Sequence, residues 1–294
     1  MKRSGSVKFP NSVQLFKFCQ KVMMHQKGGK VRDQEVGAIL NFNPSDCSHW
    51  KRGEKNVRSV FALAKLAETL GVEIGLIHDV SSGVVNLEEA YFEYLESRSF
   101  KTIVTNLDLK DKDQVKKVRD NVLAFVDTIK KESEFTTPPL YLPEVMKSFA
   151  FISTQPVDMM DKLSRILRVK AGRYCIQFRK GDLKPQTRMS MVKDLARIVF
   201  EGERSRFPEL GARSDLVAFE EILFTANLLV PKEMLITELS KLDSRRNVVS
   251  ELAALFWVPK SLVGFQLQEL LIDQTKLNIA SSITHTSTDT VESI

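Results

Sequence analysis

Apolar residues recur at three- and four-residue spacing along most of this chain, so its pattern predicts helices first. From Asn11, the residues Val13, Phe16, Cys19, Val22 and Met23 fall on one helical face, and Gly28-Gly29 end the run. After a basic turn, RDQEVGAIL gives a short second helix with Val36, Ile39 and Leu40 inward and the small Gly37 where another helix can approach closely. NFNP breaks it. Ser45 and Asp46 are natural caps for a third helix that runs to about Arg52, where Gly53 supplies a left-handed stop. VRSVFALAKLAETLG reads as a fourth helix with Val60, Leu63, Ala64, Ala67 and Leu70 on one face and Gly71 at its end, and EIGLIHDV as a short fifth.

The pattern then loosens. Asn86 caps LEEAYFEYLESRS, and DKDQVKKVRDNVLAFVDTIKKE carries Val115, Val118, Val122, Phe125, Val126 and Ile129 in one stripe among charges. Such helices pack on the chain's own core or form a dimer interface. The core is the simpler reading for the first, and the pattern does not decide for the second. EFTTPPLYLP, broken by Pro138, Pro139 and Pro143, reads as a linker. KSFAFIST and RYCIQFRKGD read as short strands, the second alternating Tyr174, Ile176 and Phe178 against Arg173, Gln177 and Arg179. Three helical segments follow, RMSMVKDLARIVFEGE, SDLVAFEEILFTANLLVPKEML and VVSELAALFWVPKSLVGFQLQEL, and then the polar ASSITHTSTDTVESI. The expectation is a mainly α protein: a five-helix domain over 1–83, connecting helices over 84–136, an α+β domain with a small sheet over 137–279, and a disordered tail over 280–294.

Composition narrows the class. With 43% hydrophobic and 27% charged residues in 294, the chain is ordinary globular material, long enough for two domains. Cys19, Cys47 and Cys175 are odd in number and form no CxxC, which argues against a disulfide framework or a zinc ribbon. No apolar run of signal-peptide type follows the basic start, and none approaches the roughly 20 residues of a membrane helix. A soluble cytoplasmic protein with no membrane partner is expected. The formal net charge is +6, and residues 1–83 alone hold 13 Lys and Arg against 7 Asp and Glu, so the remaining 30 of each cancel. That asymmetry fits a nucleic-acid-binding module joined to a neutral partner domain.

The motifs of the N-terminal segment sharpen this. Val36 and Gly37 stand where a Leu-Ala pair is usual and Phe42 in the turn. Ser48-x-Trp50 with Arg52-Gly53 forms a Ser-x-Trp-x-x-Gly ending, and LAKLAETLGVEIGLI supplies the closing helices. In this order, over roughly Ser12 to Val80, the segment resembles the lambda-repressor/Cro-like helix-turn-helix family, the XRE class of transcriptional regulators. It departs from the pattern at Asp33, commonly Gln, at Asn41, often Gly, and at Lys51, frequently Glu. The first departure removes a typical phosphate contact and adds a repelling charge.

The resemblance implies that the third helix enters the major groove of double-stranded DNA. Asn43, Ser45, Asp46, Ser48 and His49 form its exposed beginning and outer face, within reach of base edges, while Cys47 and Trp50 point to the core. Lys51, Arg52, Lys55 and Arg58 are better placed for phosphates, which set position and affinity rather than sequence. The plainer readings are that His49 is a surface histidine, that Trp50 is core, and that the basic run is only solvated. Such modules usually bind two half-sites, so a homodimer on a pseudo-palindromic operator is expected, with the helix from Asp111 to Lys131 as one candidate interface.

From about Pro143 to Leu271, a strand, an Arg-started helix, a helix ending FTANLLVP and the final LAALFWVPKSLVGFQL resemble the ImmA/IrrE zinc metallopeptidase-like family, a zincin-like α+β fold. That family sets His-Glu-x-x-His on the helix after the strand, two ligands and a general base. Here the stretch is KDLAR: Lys193 and Arg197 fill the ligand positions and Asp194 that of the base. Protonated Lys and Arg have no lone pair for a metal, so neither zinc nor another cofactor is expected at this place. Glu220 or Glu221, near the family's third ligand, is left to neutralise Lys193 or Arg197. The plain reading is a structural domain whose ion pairs replaced the metal; the sharper one is a sensor in which Lys193 and Arg197 hold an anionic small molecule or a peptide. The functional expectation is a sequence-specific transcriptional regulator with a catalytically inactive peptidase-like domain. Its alternatives are an active metallopeptidase localised by the helix-turn-helix, and an antitoxin-like or scaffold protein that binds another protein.

Overall fold

A computed structural model describes residues 7–107, 112–133, 135–159, 162–170, 172–181, 183–202, 213–243 and 247–272. The tail expected to be disordered, 280–294, lies outside them. The chain divides into two compact units, Met1–Arg98 and Ser99–Ile294. It is mainly helical, with one small mixed sheet.

In the first unit, α1 (Pro10–Lys27), α2 (Asp33–Ala38), α3 (Pro44–Arg52), α4 (Val60–Leu70) and α5 (Ile74–Ser82) are the five expected helices. The start of α6 (Leu87–Leu107) joins them through buried Ala90 and Tyr94. α1 is the hub and packs on the other four, so it buries more than one stripe: Leu15 and Phe18 go inside beside Phe16, Cys19 and Val22. Proline at the first turn suits its start, because a proline nitrogen lacks only a hydrogen bond that no helix offers there, and left-handed Gly28 stops it. On α4 the apolar face is Leu63, Leu66, Ala67 and Leu70; Val60 and Ala64, expected inside, are exposed, because the helix begins only at Val60, behind its Ser59 cap.

Trp50 closes this core. Its ring is fully buried, edge-on to Phe16 and Phe42, and its indole nitrogen donates to the Ser12 carbonyl at 2.8 Å. Deleting so large a side chain costs about 3–5 kcal/mol. The Ser12 hydroxyl receives the Val57 amide at 3.0 Å, tying α1 to the segment between α3 and α4. Gly53 is required twice over: its φ of +74° favours glycine, and a Cβ would lie 2.4 Å from a Val7 methyl.

The second unit contains α7 (Lys112–Ser133), α8 (Leu142–Lys147), β1 (Ile152–Val157), β2 (Ser164–Lys170), β3 (Arg173–Arg179), α9 (Pro185–Val199), α10 (Ser214–Leu229), α11 (Lys232–Leu239), α12 (Val248–Phe256) and α13 (Lys260–Ile272). The strands lie in the order β1-β3-β2, with β1 parallel and β2 antiparallel to β3. Ile176 of β3 shares the face of Ser164, which bonds to α9, so that face carries the core. Cys175 and Gln177 on the opposite face are buried as well, since β3 is the middle strand and neighbours flank it on both sides.

The stripe of α7 decides the question the sequence left open. Val118, Val122, Val126 and Ile129 are buried in the same core as α9 and α10, with Phe125 packed edge-on to Phe200. At about 1.5–3 kcal/mol for each buried aliphatic side chain, this face is spent within its own unit. The apolar stripe of the helix expected from Asp111 to Lys131 is therefore not exposed for a second copy, and Asp111 itself lies outside the described residues.

The connecting stretch 84–136 is likewise no separate region, because the boundary falls between Arg98 and Ser99, within α6. Phe100 and Ile103 belong to the second core, Ala90 and Tyr94 to the first. Nor is EFTTPPLYLP a free linker: Leu140 and Leu142 are buried. No single helix among the described residues is long and apolar enough to cross a membrane; α12 and α13 pass that test only together, and they meet at a bend of 110°.

Candidate functional site

The turn between α2 and α3 is set by two small features. Asn41 takes a left-handed φ of +57°, a conformation asparagine tolerates better than most residues, which explains why it serves where glycine is usual. Gly37 lets α2 lie directly on α3: a Cβ there would sit 2.8 Å from both Cβ and Sγ of Cys47. The Cys47 thiol in turn donates to the Asp33 carbonyl at 2.9 Å, and burial pushes its pKa up. With Cys47 and Trp50 inside, the opposite side of α3 stays outside.

The cap of α3 is Asn43, whose side chain accepts from the Asp46 amide at 2.8 Å, with Pro44 in the first turn. Ser45 and Asp46, expected as caps, are instead the second and third helical residues. Asn43 is thereby engaged in capping rather than presented as a reader. Ser45 is exposed, and Asp46, Ser48 and His49 are half-exposed.

The basic residues are not bare. Lys51 pairs with Asp33 at 2.6 Å, and the same carboxylate accepts from Gln20 at 3.2 Å. The acid at position 33 therefore braces α2 to α1 and α3. Lys55 bonds to Asp46 at 2.8 Å and lies over the Phe42 ring at 4.2 Å, holding the segment after α3 against its start. Glu54, which the sequence reading passed over, pairs with Nδ1 of His49 and with Nε of Arg52 at 3.1 Å. The hydrogen bond from His49, with Arg52 beside it, holds the Glu54 carboxyl below the usual carboxylate range. Arg58 is exposed. With the boundary at Arg98, the first unit holds 14 Lys and Arg against 11 Asp and Glu, a net +3, because four glutamates of α6 fall within it. The excess positive charge lies in residues 1–32, which hold eight Lys and Arg and no Asp or Glu, whereas residues 33–58, with α3 among them, hold four of each.

In the second unit, the KDLAR stretch lies on α9 against α10. Asp194 is buried, accepts from the Ser164 hydroxyl at 2.5 Å, and receives Arg197 at 3.2 Å. Arg197 also reaches Glu221 at 3.0 Å, so one half-exposed guanidinium serves two buried carboxylates. Burial raises the Asp194 pKa, against the lowering effects of the Ser164 hydrogen bond and Arg197. The Lys193 ammonium lies 5.4 Å from the centre of the Phe100 ring. Arg197 thus already faces two acids. Glu220 is buried as well. Among the described residues, no group of three or more His, Cys, Asp and Glu is placed to hold a metal ion.

Two contributors escaped the sequence reading. Ser164, with Ser190 at 2.6 Å, belongs to the unexpected strand β2, whose SRILRVK is too basic to stand out as a strand. Arg188 is 4% exposed and donates to the carbonyls of Leu140 at 2.6 Å, Phe256 at 3.2 Å and Trp257 at 2.8 Å. Burial presses its pKa down to about 10, still far above neutrality, so it remains a cation. The C-terminal carbonyls of α12 carry the negative end of that helix dipole and supply the compensation.

No family model, curated protein or solved structure matches this chain.

Proposed function

We propose that the chain is a sequence-specific DNA-binding transcriptional regulator of lambda-repressor-like type, acting through α3. One observation carries the reading: Gly37 seats α2 on Cys47, so that α3 is fixed by its inner face while Ser45, Ser48, His49, Lys51 and Arg52 remain on the outer side. A helix held in this way suits the major groove, where polar side chains reach base edges and cations meet phosphates. The second unit is proposed as a non-catalytic, zincin-like domain, with Arg197 between Asp194 and Glu221 in place of a metal. Its role is structural or regulatory; the tethering of Arg197 disfavours an anionic effector at that point.

The test is selection of sequences from a random duplex pool by the full chain, followed by affinity measurements over a salt series. His49→Ala should relax sequence choice by about 1–3 kcal/mol at one position, whereas Arg52→Ala should weaken all sequences and flatten the salt slope by about one phosphate. Failure to enrich any sequence would overturn the proposal.

A further inference from the structure

The carboxylate of Glu54 occupies a distinctive place. It sits just past the end of α3 and touches two side chains with different expected tasks: His49, which faces bases, and Arg52, which faces phosphates. Its bond to Nδ1 of His49 fixes the imidazole, leaving Nε2 as the ring nitrogen that can meet an outside partner. Its pair with Arg52, through both Nε and Nη2, occupies the donors that a phosphate oxygen would take. The remaining carboxylates near α3 have bracing duties: Asp33 ties α1, α2 and α3 together, and Asp46 holds the following segment through Lys55.

Resting on the DNA-binding reading, we propose that Glu54 is a specificity-determining positioning residue. It orients His49 for base contact and competes with the DNA backbone for Arg52. Both actions favour discrimination over raw affinity. Phosphate contacts are the same on every sequence, so loosening one of them weakens all duplexes alike, while a fixed imidazole gains only where the correct base is present. An exposed pair of this kind is modest in strength, so its removal should raise binding to arbitrary duplexes by about two- to tenfold.

The experiment compares the full chain with Glu54→Gln, which keeps the shape and removes the charge, and with Glu68→Gln, which makes the same charge change at an exposed position of α4. Two probes are used: a duplex enriched by the wild-type chain from a random pool, and a shuffled duplex of equal composition. For Glu54→Gln, binding to the shuffled duplex should rise and the ratio of enriched to shuffled affinity should fall. In a His49→Ala background that fall should vanish, and Glu68→Gln should leave the ratio unchanged. Nitrogen shifts of the His49 ring should report protonated Nδ1 in the wild type and a tautomer mixture in Glu54→Gln, a readout that needs no DNA. A ratio unchanged while both affinities rise would leave Glu54 a mere competitor and overturn the proposal. So would a fall that persists without His49. If the wild-type chain binds no duplex at all, the DNA-binding reading fails first, and this inference fails with it.

Discussion

Replacing Arg197 with methionine keeps much of the stem's packing and removes the charge that serves Asp194 and Glu221 together. Taking one partner out of a fully buried pair costs about 3–5 kcal/mol; Arg197 is half-exposed, so solvent screens part of the interaction and about 1–3 kcal/mol is expected. The pH dependence has a definite sign. Burial raises the Asp194 pKa, so the folded state holds that proton more tightly than the unfolded state does, and this group's contribution weakens as pH rises through the raised value. Arg197 opposes the rise, so its loss pushes the Asp194 pKa further up and extends the weakening towards neutrality. Urea unfolding followed by the fluorescence of Trp257, the only tryptophan of the second unit, reads the effect directly. At neutral pH the midpoint should fall by about 0.5–1 M, and most of the difference should close in mildly acid buffer, where the Asp194 carboxyl takes up a proton. Equal midpoints at neutral pH, or the same loss in both buffers, would refute the reasoning.

Three further outcomes follow from the geometry. Arg188→Met should destabilise the second unit by about 2–5 kcal/mol, because two buried carbonyls and a partly buried one lose a charged donor; the same urea titration checks this, and a midpoint within error of wild type would contradict it. Gly37→Ala should cost about 1–3 kcal/mol in thermal unfolding of the first unit, since Cys47 or the whole of α3 must move aside, and DNA binding should weaken with it. The chain should be a homodimer on DNA with a pseudo-palindromic site, but α7 should not mediate it: charge reversals on its solvent side should leave the mass in light scattering unchanged, whereas a monomer both free and on DNA would dispose of the dimer.

The first unit was legible because its signals are local. Gly28, Gly53 and Gly71 end helices in left-handed positions, and the spacing of Val36, Gly37, Cys47 and Trp50 already implied which sides of α2 and α3 meet. What failed there was fine placement: Asn43 rather than Ser45 or Asp46 caps α3, because Pro44 fits the first helical turn and moves the start forward. The second unit was less legible, since its decisive contacts join distant segments. Nothing in the sequence near Arg188 tells that Leu140 and Trp257 will present carbonyls to it, and β2 was hidden because Arg165, Arg168 and Lys170 fall on both faces of an edge strand and break any apolar alternation. The pairing of Arg197 with Glu221 was foreseeable from the KDLAR stretch and its neighbouring acids; the contact of Lys193 with the Phe100 ring was not.

The arrangement around Arg188 also bears on how the second unit comes apart. Its three carbonyl partners lie 48, 68 and 69 positions away, so they meet only after long stretches of chain have been closed, whereas α9 and α10 can begin to pack with far less ordering. A contact completed so late contributes little to the barrier for folding and a great deal to the barrier for escape. Arg188 therefore acts as a latch on lifetime: the unit persists not only because its folded state is low in energy, but because two remote stretches of backbone, at Leu140 and at Phe256-Trp257, must release one side chain before the core can open.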